Sequence, residues 1–182
     1  LVANHGSYLD VVVLLAALPL DFRFVAKREL LRAPVVGSVI RRVRHLTVER
    51  AARSQSVADA KRITEALRAG TSVLVFPEGT FVQSPGILPF RLGAFKSAAE
   101  TGVPVVPVTI RGTRDILPSG RWLPRPGPVT VAVGLPLAPH GSAWPDIVRL
   151  RDEARAEIAR RSGEPLLEPA GSGARPVPVG PH

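Results

Sequence analysis

A histidine and an aspartate separated by four residues stand at the head of the chain, in the run Asn4-His5-Gly6-Ser7-Tyr8-Leu9-Asp10. Imidazole takes up a proton near neutral pH, and a carboxylate beside it holds the ring in one tautomer. Together they suit removal of a proton from a hydroxyl group. On an ideal helix a five-residue offset turns the second side chain roughly 140° from the first. The pair therefore meets only if His5 lies in a turn and Asp10 in the first turn of a helix. Ser7-x-x-Asp10 ahead of an apolar run is also a capping box, with Ser7 as N-cap and Asp10 three positions on. In that reading His5 is a loop histidine, yet Asp10 keeps the same place, so the two readings are compatible.

A second carboxylate, Glu78, follows the apolar stretch 71–76 within Phe76-Pro77-Glu78-Gly79-Thr80. Open α/β sheets place their ligand sites just past the carboxyl ends of buried strands. Pro77 restrains the backbone before Glu78, and Gly79 leaves room for another molecule after it. Pro77-Glu78-Gly79-Thr80 is equally good chemistry for a plain surface turn. The four histidines, His5, His45, His140 and His182, lack ligand-like spacing, so no metal site is expected.

The elements that must carry these groups alternate. A strand end at 1–3 leads into an apolar helix from 11–17, and 22–26 reads as a short strand after the Pro19–Asp21 turn. Residues 27–31 begin a charged helix stopped by Pro34, 35–43 form a short helix, and 45–48 a possible strand. From 56–69 an apolar stripe at helical spacing ends on Gly70, and 71–76 is a buried strand. A Pro- and Gly-rich loop spans 81–89, and a helix runs from 91–101 to Gly102. Residues 103–110 read as a buried strand, and Pro104 and Pro107 suggest an edge or irregular position for it. A long loop at 112–127, a strand at 129–133 and a helix at 144–161 follow. Such alternation predicts a single α/β domain at 1–162, with a mixed, largely parallel central sheet flanked by helices. The Pro/Gly-rich tail at 163–182 is expected to be disordered.

The 182 residues suffice for one packed domain, and a hydrophobic content of 45% argues against general disorder. With no initiating Met and a first residue that already resembles a strand end, the chain is expected to be cut at its N-terminus. The longest apolar run, 11–20, contains Pro19 and is too short to span a membrane. Zero cysteines exclude disulfides and thiolate chemistry. A net charge of +9 points to phosphate-bearing partners such as anionic lipid head groups, nucleic acid or a phosphorylated substrate. Aromatic content of 5% argues modestly against base-stacking platforms, and no nucleic acid partner is expected.

The four blocks His5 to Asp10, Glu49-Arg50, Phe76 to Thr80 and Val103-Pro104-Val105-Val106-Pro107 resemble, in order and spacing, those of the glycerolipid acyltransferases. The likeness is to the lysophosphatidate (1-acylglycerol-3-phosphate) acyltransferase, PlsC-like branch, and covers residues 1 to about 139. It implies transfer of an acyl group from acyl-CoA or acyl carrier protein to a lysophospholipid hydroxyl, giving phosphatidate, with no cofactor. His5 would be the general base and Asp10 its orienting partner, with Ser7 a helix cap rather than a nucleophile. Arg50 would pair with the acceptor's phosphate, and Glu78, Gly79 and Thr80 would bind the acceptor. Backbone N–H groups near Gly79 are the expected oxyanion donors. The family commonly has Arg-Ser after the Thr, whereas Phe81-Val82 stands here, and Glu49 replaces the more usual Asp. Arg91 matches a position that is usually Lys or Arg, and is the best remaining cation.

The resemblance further implies association with an anionic membrane surface, on the cytoplasmic face. Arg28, Arg32, Arg41, Arg42 and Arg44 are candidates to face head groups, or a solvated helix face. Residues 11–15 and 35–40 are candidates for an acyl groove, or ordinary core. Three rival readings stand beside the leading one. Loss of the arginine after Thr80 favours an acyltransferase acting on a non-phosphorylated lipid acceptor. A non-enzymatic basic module for nucleic acid or anionic surfaces would leave His5, Asp10 and Glu78 without a role. A catalytically dead lipid-binding relative sits poorly with an intact His5 and Asp10.

Overall fold

The computed structural model describes residues 1–24, 26–27, 47–48, 55–82, 84–118 and 123–168. Three short parallel strands lie side by side at its centre. β1 (Val2–Ala3) pairs in parallel with β6 (Pro107–Arg111), which pairs antiparallel with β7 (Thr130–Val133). On the other side a parallel bridge from Val2 to Val75 brings in β5 (Val73–Leu74), which pairs in parallel with β2 (Arg23–Phe24). The bridged order is thus β2-β5-β1-β6-β7. A separate parallel pair joins β3 (Ala26–Lys27) to β4 (Thr47–Val48). The sheet is mixed and mostly parallel, as the alternation of elements predicted.

Period-two alternation divides the core into two layers. Ala3, Leu74, Phe76, Val108 and Ile110 pack with Val11 and Leu14 on the inner stripe of helix α1 (Leu9–Ala17) and with Leu18, its C-cap. Of the proposed acyl-groove residues, Val11 and Leu14 are therefore core. Val2, Val73 and Val75 face the opposite way. There Ile63 and Ala66 of α2 (Gln55–Arg68) cover β5. Phe95 of α3 (Gly93–Thr101) and Ile147, Leu150, Ala154 and Ile158 of the last helix complete that layer. The last helix, α5 (Trp144–Ser162), has Pro at its first turn and ends on Gly163. A short helix α4 (Thr113–Ile116) precedes β7.

Several sequence expectations shift. The strand expected over 103–110 starts at Pro107 and sits between β1 and β7 rather than at an edge. A proline is tolerated there because its missing N–H falls at the strand's first residue. The loop 112–127 contains α4. Helix α1 begins at Leu9 with Tyr8 as N-cap and no side-chain capping bond, one residue later than a Ser7 cap requires. The tail expected to be disordered from 163 is ordered and hydrogen-bonded as far as Leu167. The helix expected over 35–43, Glu49-Arg50, and Arg28, Arg32, Arg41, Arg42 and Arg44 lie outside the described residues.

Candidate active site

Parallel strands that lie next to one another deliver their following residues to the same end of the sheet. β1 runs out into Asn4-His5, β5 into Phe76-Pro77-Glu78, and β6 into Gly112-Thr113-Arg114. Because β1 lies between the other two, the turn that follows it meets Glu78 at His5 and the Arg114 guanidinium beside Gly6. Asn4 locks the exit of β1: its side-chain amide donates to Ile110 O at 2.9 Å and accepts from Ile110 N at 2.8 Å.

His5 lies in the turn before α1, and Asp10 is the second residue of that helix. Their side chains meet at 2.8 Å, His5 Nδ1 to Asp10 Oδ2. The same carboxylate oxygen accepts the backbone N–H of Gly6 at 2.7 Å and of Ser7 at 2.9 Å. Asp10 is fully buried; these bonds replace the water lost at Oδ2, while Oδ1 is buried without a hydrogen-bond partner. An acceptor oxygen facing Nδ1 selects the Nδ1–H tautomer and leaves the Nε2 lone pair for a substrate proton. The His5 ring is held by two aromatic rings. It stacks on Phe76, with centroids 4.3 Å apart and planes at 19°, and makes a T-shaped contact with Phe81 at 4.7 Å. Tyr8 in turn meets Phe81 edge-on at 4.9 Å.

Glu78 is 4% exposed and binds backbone with both carboxylate oxygens. Oε1 accepts from His5 N at 2.8 Å and Oε2 from Leu88 N at 2.9 Å. Burial pushes its pKa up from 4.5 to about 8; the two amide bonds and Arg114 oppose that rise, while Glu164 adds to it. Gly79 adopts a φ of +74°, the left-handed region that an L side chain rarely enters. Its N–H donates to Phe76 O at 3.1 Å, so this amide, one of those around the turn expected to serve as oxyanion donors, is committed to closing the turn. Thr80 is half-buried, and Arg91 is exposed with its amide donating to Pro77 O at 2.9 Å. Ser7 is buried; its hydroxyl donates to Leu117 O at 2.8 Å and accepts weakly from Leu9 N at 3.3 Å.

His5, Asp10 and Glu78 thus converge, with the Gly79–Thr80 turn and the Arg91 backbone alongside. Arg50 lies outside the described residues. Arg114 and Glu164, which pair at 2.5 Å, were missed by sequence reasoning, as was the packing of Phe81 on His5. Among the described residues no group of His, Asp or Glu is placed to hold a metal ion, and no helix is long and apolar enough to cross a membrane.

A family model for acyltransferases matches residues 1–111, which span the His5–Asp10 pair, Glu78 and the strands that bring them together. The chain belongs to the acyltransferase family. A chloroplastic 1-acyl-sn-glycerol-3-phosphate acyltransferase, BAT2 of Brassica napus, is 38% identical over 159 residues, covering 87% of this acyltransferase chain and 44% of that protein. The mouse 1-acyl-sn-glycerol-3-phosphate acyltransferase alpha is 29% identical over 184 residues, covering 94% of this chain and 65% of that one. The crystal structure of the 1-acyl-sn-glycerophosphate acyltransferase PlsC from Thermotoga maritima superposes with a TM-score of 0.71 at 34% identity. The match covers 88% of this chain and 63% of that one. This acyltransferase chain therefore spans less than two thirds of the length of these relatives.

Proposed function

We propose that this chain transfers a fatty acyl group from a thioester, acyl-CoA or acyl carrier protein, to the free hydroxyl of 1-acylglycerol-3-phosphate, giving phosphatidate. The observation that carries the reading is the 2.8 Å contact between His5 Nδ1 and Asp10 Oδ2, with the ring's other nitrogen left for a substrate. Nε2 takes the hydroxyl proton as the oxygen attacks the thioester carbonyl carbon. The carbon–sulfur bond then breaks, and the departing thiolate recovers the proton from the imidazolium, whose charge Asp10 supports. No acyl-enzyme is needed, since the Ser7 hydroxyl is turned toward Leu117 O. Names of relatives that act on 1-acyl-sn-glycerol-3-phosphate support the acceptor.

Arg50 is proposed to clamp the acceptor's phosphate, for which a planar guanidinium is well suited. Gly79, Thr80 and Arg91 flank the same site on the acceptor side. The net charge of +9 supports work at an anionic membrane surface, on the cytoplasmic face in this reading. One observation favours a second reading. Phe81, where the family commonly has arginine, is buried against His5 and Tyr8, which suits a non-phosphorylated lipid acceptor.

Thiol release from acyl-CoA, measured with a panel of phosphorylated and non-phosphorylated lysolipids, tests both. His5→Ala is expected to lose at least about a hundredfold in rate; an unchanged rate removes His5 from the role of base. Arg50→Ala is expected to weaken use of the phosphorylated acceptor with donor KM unchanged. A rise in donor KM instead overturns the phosphate clamp.

A further inference from the structure

Past α5 the chain turns at Gly163 and crosses back over the loop 86–88 as a short strap, residues 164–167. Ile87 N donates to Pro165 O and Leu167 N to Ile87 O, both at 2.9 Å, in a parallel bridge. Gly86 makes room for it, because a Cβ at that position would lie 2.5 Å from Leu167 Cγ.

Two arginines from other elements pin the strap. Arg114, at the exit of β6, donates Nη1 to Glu164 Oε1 at 2.5 Å and Nη2 to Oε2 at 3.3 Å. Glu164 Oε2 also accepts the Gly86 N–H at 2.9 Å. Arg155 of α5 places one guanidinium on three carbonyls: Leu88 O at 3.0 Å, Ile87 O at 2.8 Å and Leu167 O at 2.5 Å. Burial pulls the pKa of Arg155 down, while Glu168 and Glu78 pull it back up, so Glu78 is within its electrostatic reach.

The three bonds from Arg155 and Glu164 to this loop fall on Gly86, Ile87 and Leu88. The N–H of Leu88 is one of the two donors that hold Glu78, and Glu78 holds the backbone of His5. A buried carboxylate with two donors moves with either of them.

We propose that Arg155 and Glu164 are positioning residues for the acyl-transfer site. By clamping the strap to the loop 86–88, they fix the Leu88 amide, and through Glu78 the height of the His5 backbone over the substrate. The kinetic half of this inference rests on His5 acting as base, whereas the geometric half does not.

Amide hydrogen exchange on the nitrogen-15-labelled chain reads the geometric half directly. In Arg155→Ala the amides of His5 and Leu88 are expected to exchange at least about tenfold faster than in wild type. The Ile110 amide, bonded to Asn4 within the sheet, should not change. Arg155→Lys, which reaches fewer carbonyls, should restore part of the protection, and Glu164→Gln should loosen the same two amides to a smaller degree. These milder variants decide the matter if Arg155→Ala does not fold. In thiol release, Arg155→Ala is expected to lower kcat about tenfold with KM for both substrates within about twofold. Ile158→Val, a buried change on the same helix, is the control for general destabilisation and should spare kcat. Exchange at His5 and Leu88 that rises only in step with Ile110 overturns the proposal, as does a KM effect at constant kcat. If His5→Ala keeps full activity, the base reading fails, while the exchange result still decides whether the clamp exists.

Discussion

Glu78 Oε1 accepts the backbone N–H of His5 at 2.8 Å, joining the ends of two parallel strands that lie 73 residues apart in sequence. The carboxylate is almost wholly buried, and burial pushes its pKa from 4.5 to about 8. An unfolded chain releases this proton near pH 4.5, whereas the folded protein keeps it until about pH 8. The native state therefore binds more protons across that window, and stability must fall as pH rises through it. The slope from this one group is up to about 1.4 kcal/mol per pH unit. Melting temperatures measured from pH 5 to 8 should decline more steeply for wild type than for Glu78→Gln. Parallel profiles would show that Glu78 is ionised throughout. Glutamine also offers one acceptor where two amides need one each, so kcat is expected to fall about tenfold or more in the variant.

Asp10 Oδ2 gathers three donors, His5 Nδ1 and the amides of Gly6 and Ser7. Asp10→Asn can keep the amide bonds through its carbonyl oxygen, which preserves the turn. It cannot support charge on the imidazolium, and its NH2 group selects the wrong tautomer when turned toward the ring. The expected loss in kcat is on the order of 10³- to 10⁴-fold with a melting temperature within a few degrees of wild type. A loss below about tenfold in a folded variant would remove Asp10 from the proton-transfer step.

The His5–Asp10 contact was legible in the sequence because its partners are five residues apart and a helix start fixes their geometry. Glu78 was legible as a residue at a strand end but its partner was not. That partner depends on β1 lying beside β5, an adjacency set by pairing across 73 residues rather than by local pattern. The helix expected over 144–161 is α5, Trp144–Ser162, yet nothing local to Arg155 marks it as the one that reaches the loop 86–88. Prolines misled in two places. Pro104 and Pro107 suggested an edge or irregular position, and the stretch before Pro107 is irregular but the strand it begins is not at an edge; the Pro/Gly-rich composition after Gly163 hid the strap that Arg114 and Arg155 hold. The Ser7–Asp10 spacing suggested a capping box, of which the structure keeps only the bond from Ser7 N to Asp10 Oδ2. The serine hydroxyl is drawn instead to Leu117 O, a partner 110 residues away.

Phe81 stands where the family commonly has a cation, and its ring closes one side of the His5 imidazole at 4.7 Å. Truncation in Phe81→Ala removes that wall and the contact with Tyr8, and should destabilise the fold by about 2–4 kcal/mol. The His5 ring then gains freedom, so kcat should fall more than either KM. Phe81→Arg asks a different question, since it returns the cation to the acceptor side. If the apolar ring selects the acceptor, the arginine variant should shift kcat/KM about tenfold toward phosphorylated lysolipids relative to neutral ones. An unchanged acceptor ratio in the folded variant would place acceptor selection elsewhere.

Ser7 lies two residues from the proposed base and is the hydroxyl that a covalent mechanism would require. Its Oγ donates to Leu117 O at 2.8 Å, and the residue is fully buried. Ser7→Ala leaves that carbonyl without its donor and should reduce stability by about 1–3 kcal/mol. A direct attack by the lipid hydroxyl makes no further demand on Ser7, so kcat per folded molecule should stay within about threefold of wild type. The covalent alternative predicts loss of thiol release altogether, and a burst of thiol before steady state in the wild-type enzyme. Rapid-mix measurement of thiol release on both proteins, with mass spectrometry for an acylated chain, separates the two. A burst together with an inert Ser7→Ala would overturn direct transfer; a linear onset with an active variant is the expected result.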